Sequence, residues 1–165
     1  MTTMSDYGIE PTEIEVGVYA LRTFAIKSSK LTSIVQGAGH WKDGMCVAKC
    51  DVKPDDPEHV PPAEKCGCGI YAFFTVEELF DQYPEFAHRI IGVITAQGLT
   101  TIGTKGLKTA AARVVAWWCR DDDADAKVCA ASCPGTRRYY DLDVMTRIYG
   151  LDEKTRERNE DGKHR

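Results

Sequence analysis

The sequence predicts an α+β fold: a mainly antiparallel sheet, curled or closed into a small barrel, with two short helices and a metal-clipped loop. Three observations lead there. Short runs of alternating apolar residues are separated by turn-forming Gly, Ser and Pro residues, a pattern that favours antiparallel neighbours over a parallel sheet. Two other stretches carry helical period behind a capping residue. Between them in character is the segment CDVKPDDPEHVPPAEKCGCGIYA at residues 50–72, which gathers soft ligands inside a proline-rich connection.

The first twelve residues are polar and hold Gly8 and Pro11, so residues 1–12 are expected to form a flexible arm. Ile14, Val16, Val18 and Ala20 then alternate, which predicts a strand over 14–26, with Gly17 marking a bulge or a close approach. Lys27-Ser-Ser-Lys30 is a turn, and 31–36 is the returning strand. Trp41-Lys-Asp-Gly44 is a second turn signal. Residues 45–50 form a short apolar strand that delivers Cys50. Pro54, Pro57, Pro61 and Pro62 exclude a helix or central strand over 51–65. A connection this long inside a compact domain needs a reason.

Residues 69–74 are predicted to be extended. Thr75-Val-Glu-Glu78 matches a capping box, and Val76, Leu79, Phe80 and Tyr83 fall on one face of a helix over 75–83. Strands follow at 90–96 and 112–118. The glycines at 98, 103 and 106 predict a hairpin connection. They do not make a phosphate loop, because Gly98-x4-Gly103 is followed by Thr-Lys instead of Lys-Ser/Thr. The acidic run 121–125 lacks the calcium-loop spacing and is taken as a solvated turn. Arg137–Tyr140 suggests a short strand. Asp141 or Asp143 caps a second helix carrying Leu142, Met145, Ile148 and Tyr149, ended by Gly150. The expected organisation is therefore one domain over 13–151, followed by a charged flexible tail over 152–165.

The chemistry concentrates at Cys50, His59, Cys66 and Cys68. Three thiols and one imidazole are the donor types that tetrahedral zinc takes, and four of them close a structural site. Their C-x8-H-x6-C-x-C spacing departs from the usual C-x2-C pairs, which leaves open four unrelated residues or a disulfide. Glycines beside Cys66 and Cys68 are expected to let the backbone turn toward a metal. Seven cysteines in a chain without a secretory signal or an apolar span point to a reducing cytoplasm and to metal binding over disulfides.

Tyr19-Ala-Leu-Arg22, Trp41-Lys-Asp-Gly44, Ala48-x-Cys50, His59-x-x-Pro62, Cys66-x-Cys68-Gly-Ile-Tyr-Ala72 and Ile91-Gly-Val-Ile94 occur in a distinctive order. Over roughly residues 14–118 the chain resembles a group of small proteins of actinobacteria and their phages. The resemblance implies that Cys50, His59, Cys66 and Cys68 belong together. That group carries no established activity to transfer, and Cys119, Cys129 and Cys133 match nothing in it.

Net charge is −4, which disfavours a general phosphate-binding surface. The expected role is a non-enzymatic interaction protein with a structural zinc, binding a protein partner. Two other classes compete. Lys105, Lys108 and Arg113, or Arg137 and Arg138 beside Tyr139, would serve a nucleic-acid binder. Cys66 or Cys68 with His59, or a metal-bound water with Glu58 as proton carrier, would serve an enzyme.

Overall fold

The computed structural model describes residues 17–34, 41–50, 52–63, 65–120, 123–153, 157 and 161–162. The expected arm at 1–12, the first part of the 14–26 strand, and most of the tail lie outside these residues. The fold is α+β and mostly antiparallel. Eight strands run β1 (Tyr19–Thr23), β2 (Ala25–Lys27), β3 (Lys30–Thr32), β4 (Met45–Val47), β5 (Ile70–Phe73), β6 (Ile90–Ile102), β7 (Gly106–Cys119) and β8 (Arg137–Tyr139). Among the described residues the helices are α1 (Val76–Gln82), α2 (Asp123–Ser132) and α3 (Leu142–Ile148).

Strand β7 organises the sheet. Along one edge it pairs with β6 from Leu107 to Cys119. Its other edge is shared by three short strands in succession: β5 at 106–109, β4 at 111–113, and β8 at 116–118. The last of these is a parallel pairing. Because β5 also meets β1, and β1 meets β6, the sheet curls back on itself in a partly ring-like path. Leu21, Ile70, Val93, Ile94 and Val114 fill its interior with Leu79 of α1 and Met145 of α3. Burying a side chain such as Leu79 contributes about 1.5–3 kcal/mol. Phe24 lies against Gly92, where a Cβ would come within 2.8 Å of the ring, so this strand position must be glycine for the ring to seat.

The helix expected over 75–83 is present as α1. Thr75 accepts from the Glu78 N–H at 3.3 Å, and Leu79 is fully buried. The Glu78 carboxylate reaches Lys105 at 4.0 Å. Asp141 caps α3 by accepting from the Val144 N–H at 3.2 Å.

Three expectations need correction. The acidic run is not wholly a turn, since α2 begins at Asp123. It is held by Arg89, whose guanidinium donates two bonds of 2.6 and 2.8 Å to the buried Asp125 carboxylate. Over the described residues of 75–149 the helices are thus three where two were expected. The hairpin expected across 98–106 exists, but its turn is confined to 103–105. Gly98 sits within β6, where the register shifts between Gln97 and Thr100. Finally, the strand over 14–26 is divided at Phe24 into β1 and β2.

Candidate metal centre

Strand β4 leaves the edge of β7 opposite Ala111, and Ala48 N–H still donates to the Ala110 carbonyl at 2.8 Å. Strand β5 rejoins the same edge opposite Thr109. Residues 48–69 are therefore an excursion from a single line of strand, with both stems anchored at neighbouring positions of β7. Cys50 sits on the outgoing stem, Cys66 and Cys68 on the returning one, and His59 at the middle. This is the physical reason for a long connection in a compact domain: its ends are already together, and a short cross-link between the stems closes it at small entropic cost.

The four predicted residues are brought together, with one ligand atom from each lying within 4.8 Å of all the others. Cys50 Sγ and Cys66 Sγ are 3.7 Å apart, and Cys68 Sγ and His59 Nε2 are 3.5 Å apart. No disulfide joins any of the seven cysteines, so the disulfide alternative is not realised. Cys50 is buried; the other three are half-buried.

The loop is shaped locally. The Asp56 carboxylate accepts from the Glu58 N–H at 3.0 Å, and the Asp56 carbonyl accepts from the His59 N–H at 3.1 Å, which turns the chain so that His59 faces the stems. A cis bond joins Pro61 to Pro62. Lys65 adopts φ of 62°, so the tight turn into Cys66 is made there and not at Gly67, whose Cβ would meet nothing within 4 Å. The glycine that matters is Gly69, at φ of 123°, where an added Cβ would press within 3.1 Å of Pro62.

Backbone donors face the sulfurs. Ala63 N–H donates to Cys68 Sγ at 3.4 Å. The Cys68 N–H donating to Cys66 Sγ is the main reason the Cys66 thiol falls to about 7; the Cys50, Cys68 and His59 side chains assist, and desolvation opposes. Desolvation raises the Cys68 thiol, against the Ala63 N–H. Such donors orient and tune metal ligands. A Cys3His set of this kind can hold a metal ion. If all four side chains bind, no coordination position is left open for a substrate.

The Cys68 and His59 side chains of the enzyme reading meet within the ligand set, and the basic residues of the nucleic-acid reading fall in two separate groups. Lys105 and Lys108 lie at the hairpin end of β7, whereas Arg137 and Arg138 pair beside its opposite end. Arg137 packs over Tyr139 at 4.9 Å from its centroid, and Arg138 over Trp117 and Tyr140 at 5.5 and 4.2 Å. Trp41 and Trp117 are core residues, so they add nothing to an exposed aromatic surface. The exposed apolar side chains near the metal loop are Met45 and Val47 on β4, Val52 and Val60 on the loop, and Tyr71 on β5, whose hydroxyl donates to the Gly67 carbonyl at 2.9 Å. Alternation along β4 could have revealed the first two. Cys119, Cys129 and Cys133 are buried away from the ligand set. Among the described residues no helix is long and apolar enough to cross a membrane.

No family model matches the chain, and no match was found among the curated proteins or the solved structures.

Proposed function

We propose that Cys50, His59, Cys66 and Cys68 bind one structural zinc and that the protein acts by binding a protein partner, not by turning over a substrate. One observation carries the metal assignment. A zinc ion with thiolates at about 2.3 Å and imidazole at about 2.0–2.1 Å sets tetrahedral edges of about 3.8 Å between sulfurs and about 3.6 Å from sulfur to nitrogen. The separations of 3.7 and 3.5 Å correspond to those edges. Bound there, zinc would hold the loop stems together, a structural task with the coordination sphere full.

The partner assignment rests on what the clipped loop displays. Val52 and Val60 are solvent-facing on a segment whose shape the metal would fix, beside Met45 and Val47 on β4. Ordered apolar side chains around a rigid loop favour a protein contact.

Native mass spectrometry of the purified protein should find about one zinc per chain, and Cys68→Ser should abolish it. Full retention of metal by that variant would remove the site. Val52→Asp combined with Val60→Asp should abolish capture of a defined protein partner while zinc content stays unchanged. Metal-dependent turnover of a small substrate, lost in Glu58→Gln, would overturn the non-enzymatic reading.

A further inference from the structure

A cavity of about 740 Å³ opens between the β2–β3 hairpin, the turn that follows Trp41, and the C-terminal end of α2. Leu31 and Trp41, both buried, form an apolar floor. Lys27, Lys30 and Lys42 stand on its rim, and Asp43 is the one acid among the described lining residues. None of the three lysines makes an ion pair among the described residues.

Two features of the surrounding structure make this more than a group of surface lysines. The first is the hairpin register. Lys27 and Lys30 are direct cross-strand partners, separated by Ser28 and Ser29 in the left-handed region. Like charges directly opposite each other destabilise a hairpin, so this pair works against the element that carries it. The second lies behind the floor. Arg22 is buried, yet among the described residues no carboxylate pairs with it. Its guanidinium donates to the Tyr71 carbonyl at 2.6 Å and to Ser33 Oγ at 3.0 Å, and its Nε has no partner. It packs over the Trp41 ring at 5.7 Å, and Trp41 Nε1 donates to the same Ser33 hydroxyl at 3.0 Å. A buried cation without a counter-ion is costly to keep. Four cations thus surround or underlie one concave surface that holds one acid.

We propose that this cavity binds a small anionic amphiphile: a carboxylate, sulfonate or phosphate ester carried on an apolar body. The anion meets Lys27, Lys30 and Lys42, and the apolar body covers Leu31 and Trp41. The volume lies within the ~300–1,000 Å³ range of small-molecule sites. Low-dielectric walls strengthen the attraction of the rim charges, and the apolar floor excludes a bare inorganic anion as the preferred ligand. The site shares no residue with the metal centre and does not depend on it.

The test uses the full, metal-replete chain and the fluorophore 8-anilinonaphthalene-1-sulfonate, with neutral N-phenyl-1-naphthylamine as the uncharged counterpart of the same apolar body. The sulfonate should bind saturably at one site, and the neutral probe ~10-fold or more weakly, the equivalent of one lost charge interaction. Lys30→Gln and Lys42→Gln should each weaken the sulfonate by ~3–10-fold, while Lys105→Gln at the β6–β7 turn leaves it unchanged. Laurate and an aryl carboxylate, added as competitors, tell an aliphatic from an aromatic body; displacement by either supports the proposal. Equal binding of the two probes, wild-type affinity in both lysine variants, displacement by inorganic phosphate alone, or no saturable binding would each overturn it.

Discussion

Apart from Cys46 on β4, the cysteines of this chain divide into two populations that differ in surroundings and not in type. On the excursion from β7, Cys66 is half-exposed, faces a backbone N–H, and has its thiol lowered to about 7. Between β7 and α2, burial pushes Cys129 up to about 12 and Cys133 to about 11. Neighbouring Cys119, Cys133 and Asp125 add to the rise at Cys129. In the first environment a backbone donor to sulfur dominates at Cys66; in the second, burial dominates at Cys129 and Cys133. Thiolate chemistry therefore belongs to the loop, and the interior cysteines behave as small apolar side chains.

The sharpest way to break this contrast is alkylation of the native, metal-free protein at pH 7. Ionisation alone should make Cys66 react about 10⁴–10⁵-fold faster than Cys129, with burial widening the gap. Comparable labelling of both by mass spectrometry would abolish the distinction. Metal should next invert the order, masking the loop thiols and leaving the interior ones untouched. At free zinc about 100 times its dissociation constant, opening of the loop should fall ~100-fold, and tryptic cleavage after Lys53 or Lys65 should slow by a similar factor until a chelator is added. Chelation should leave the sheet intact, because its core does not depend on the ligand set.

Stability gives a smaller contrast. Cys129→Ser places a hydroxyl in an apolar site and should cost about 1–3 kcal/mol. Cys66→Ser in the metal-free protein should leave the midpoint nearly unchanged. Denaturant midpoints measure both. The mildest effect concerns pH. Cys66 falls from 9.0 in an unperturbed thiol to about 7 in the fold, so its ionisation favours the folded loop fully above pH 9 and ceases to do so as pH falls through about 7. Metal-free protein should therefore lose a small increment of loop stability on acidification from 9 to 6. Hydrogen exchange at residues 65–69 should show it, and Cys66→Ser should remove it.

The ligand set was legible because its signals are local: soft donors, a density of prolines, and stems that read as strands. The capped helices α1 and α3 were legible for the same reason, each announced by an oxygen that accepts from the third residue on. Helix α2 was not. Its buried face is little more than Ala126 and Cys129, and Asp125 is tolerated inside through Arg89, distant in sequence. An acidic run without apolar period carries no local sign of that pairing. The extent of β6 was hidden too, because Gly98 resembles a turn residue until the register shift that accommodates it is seen. The role of β7 as shared edge lies in pairings with four other strands, none of which its alanine-rich sequence specifies. The turn into Cys66 depended on Lys65 adopting a conformation that sequence would have assigned to Gly67.

The placement of the excursion has one more consequence. Val47 and Ile70 face Ala111 and Thr109, so the pairing along the edge of β7 passes from β4 to β5 at Ala110, whose carbonyl the Ala48 N–H still meets. A segment whose two ends meet so closely makes little demand on its host beyond one such junction along an antiparallel edge. It is transplantable in principle: residues 48–69 can be cut from this sheet and spliced into the edge of another, carrying their ligands with them, and the parent can be resealed with a short bridge. A metal held by Cys50, His59, Cys66 and Cys68 would travel with a peptide cassette and not with the domain that presents it.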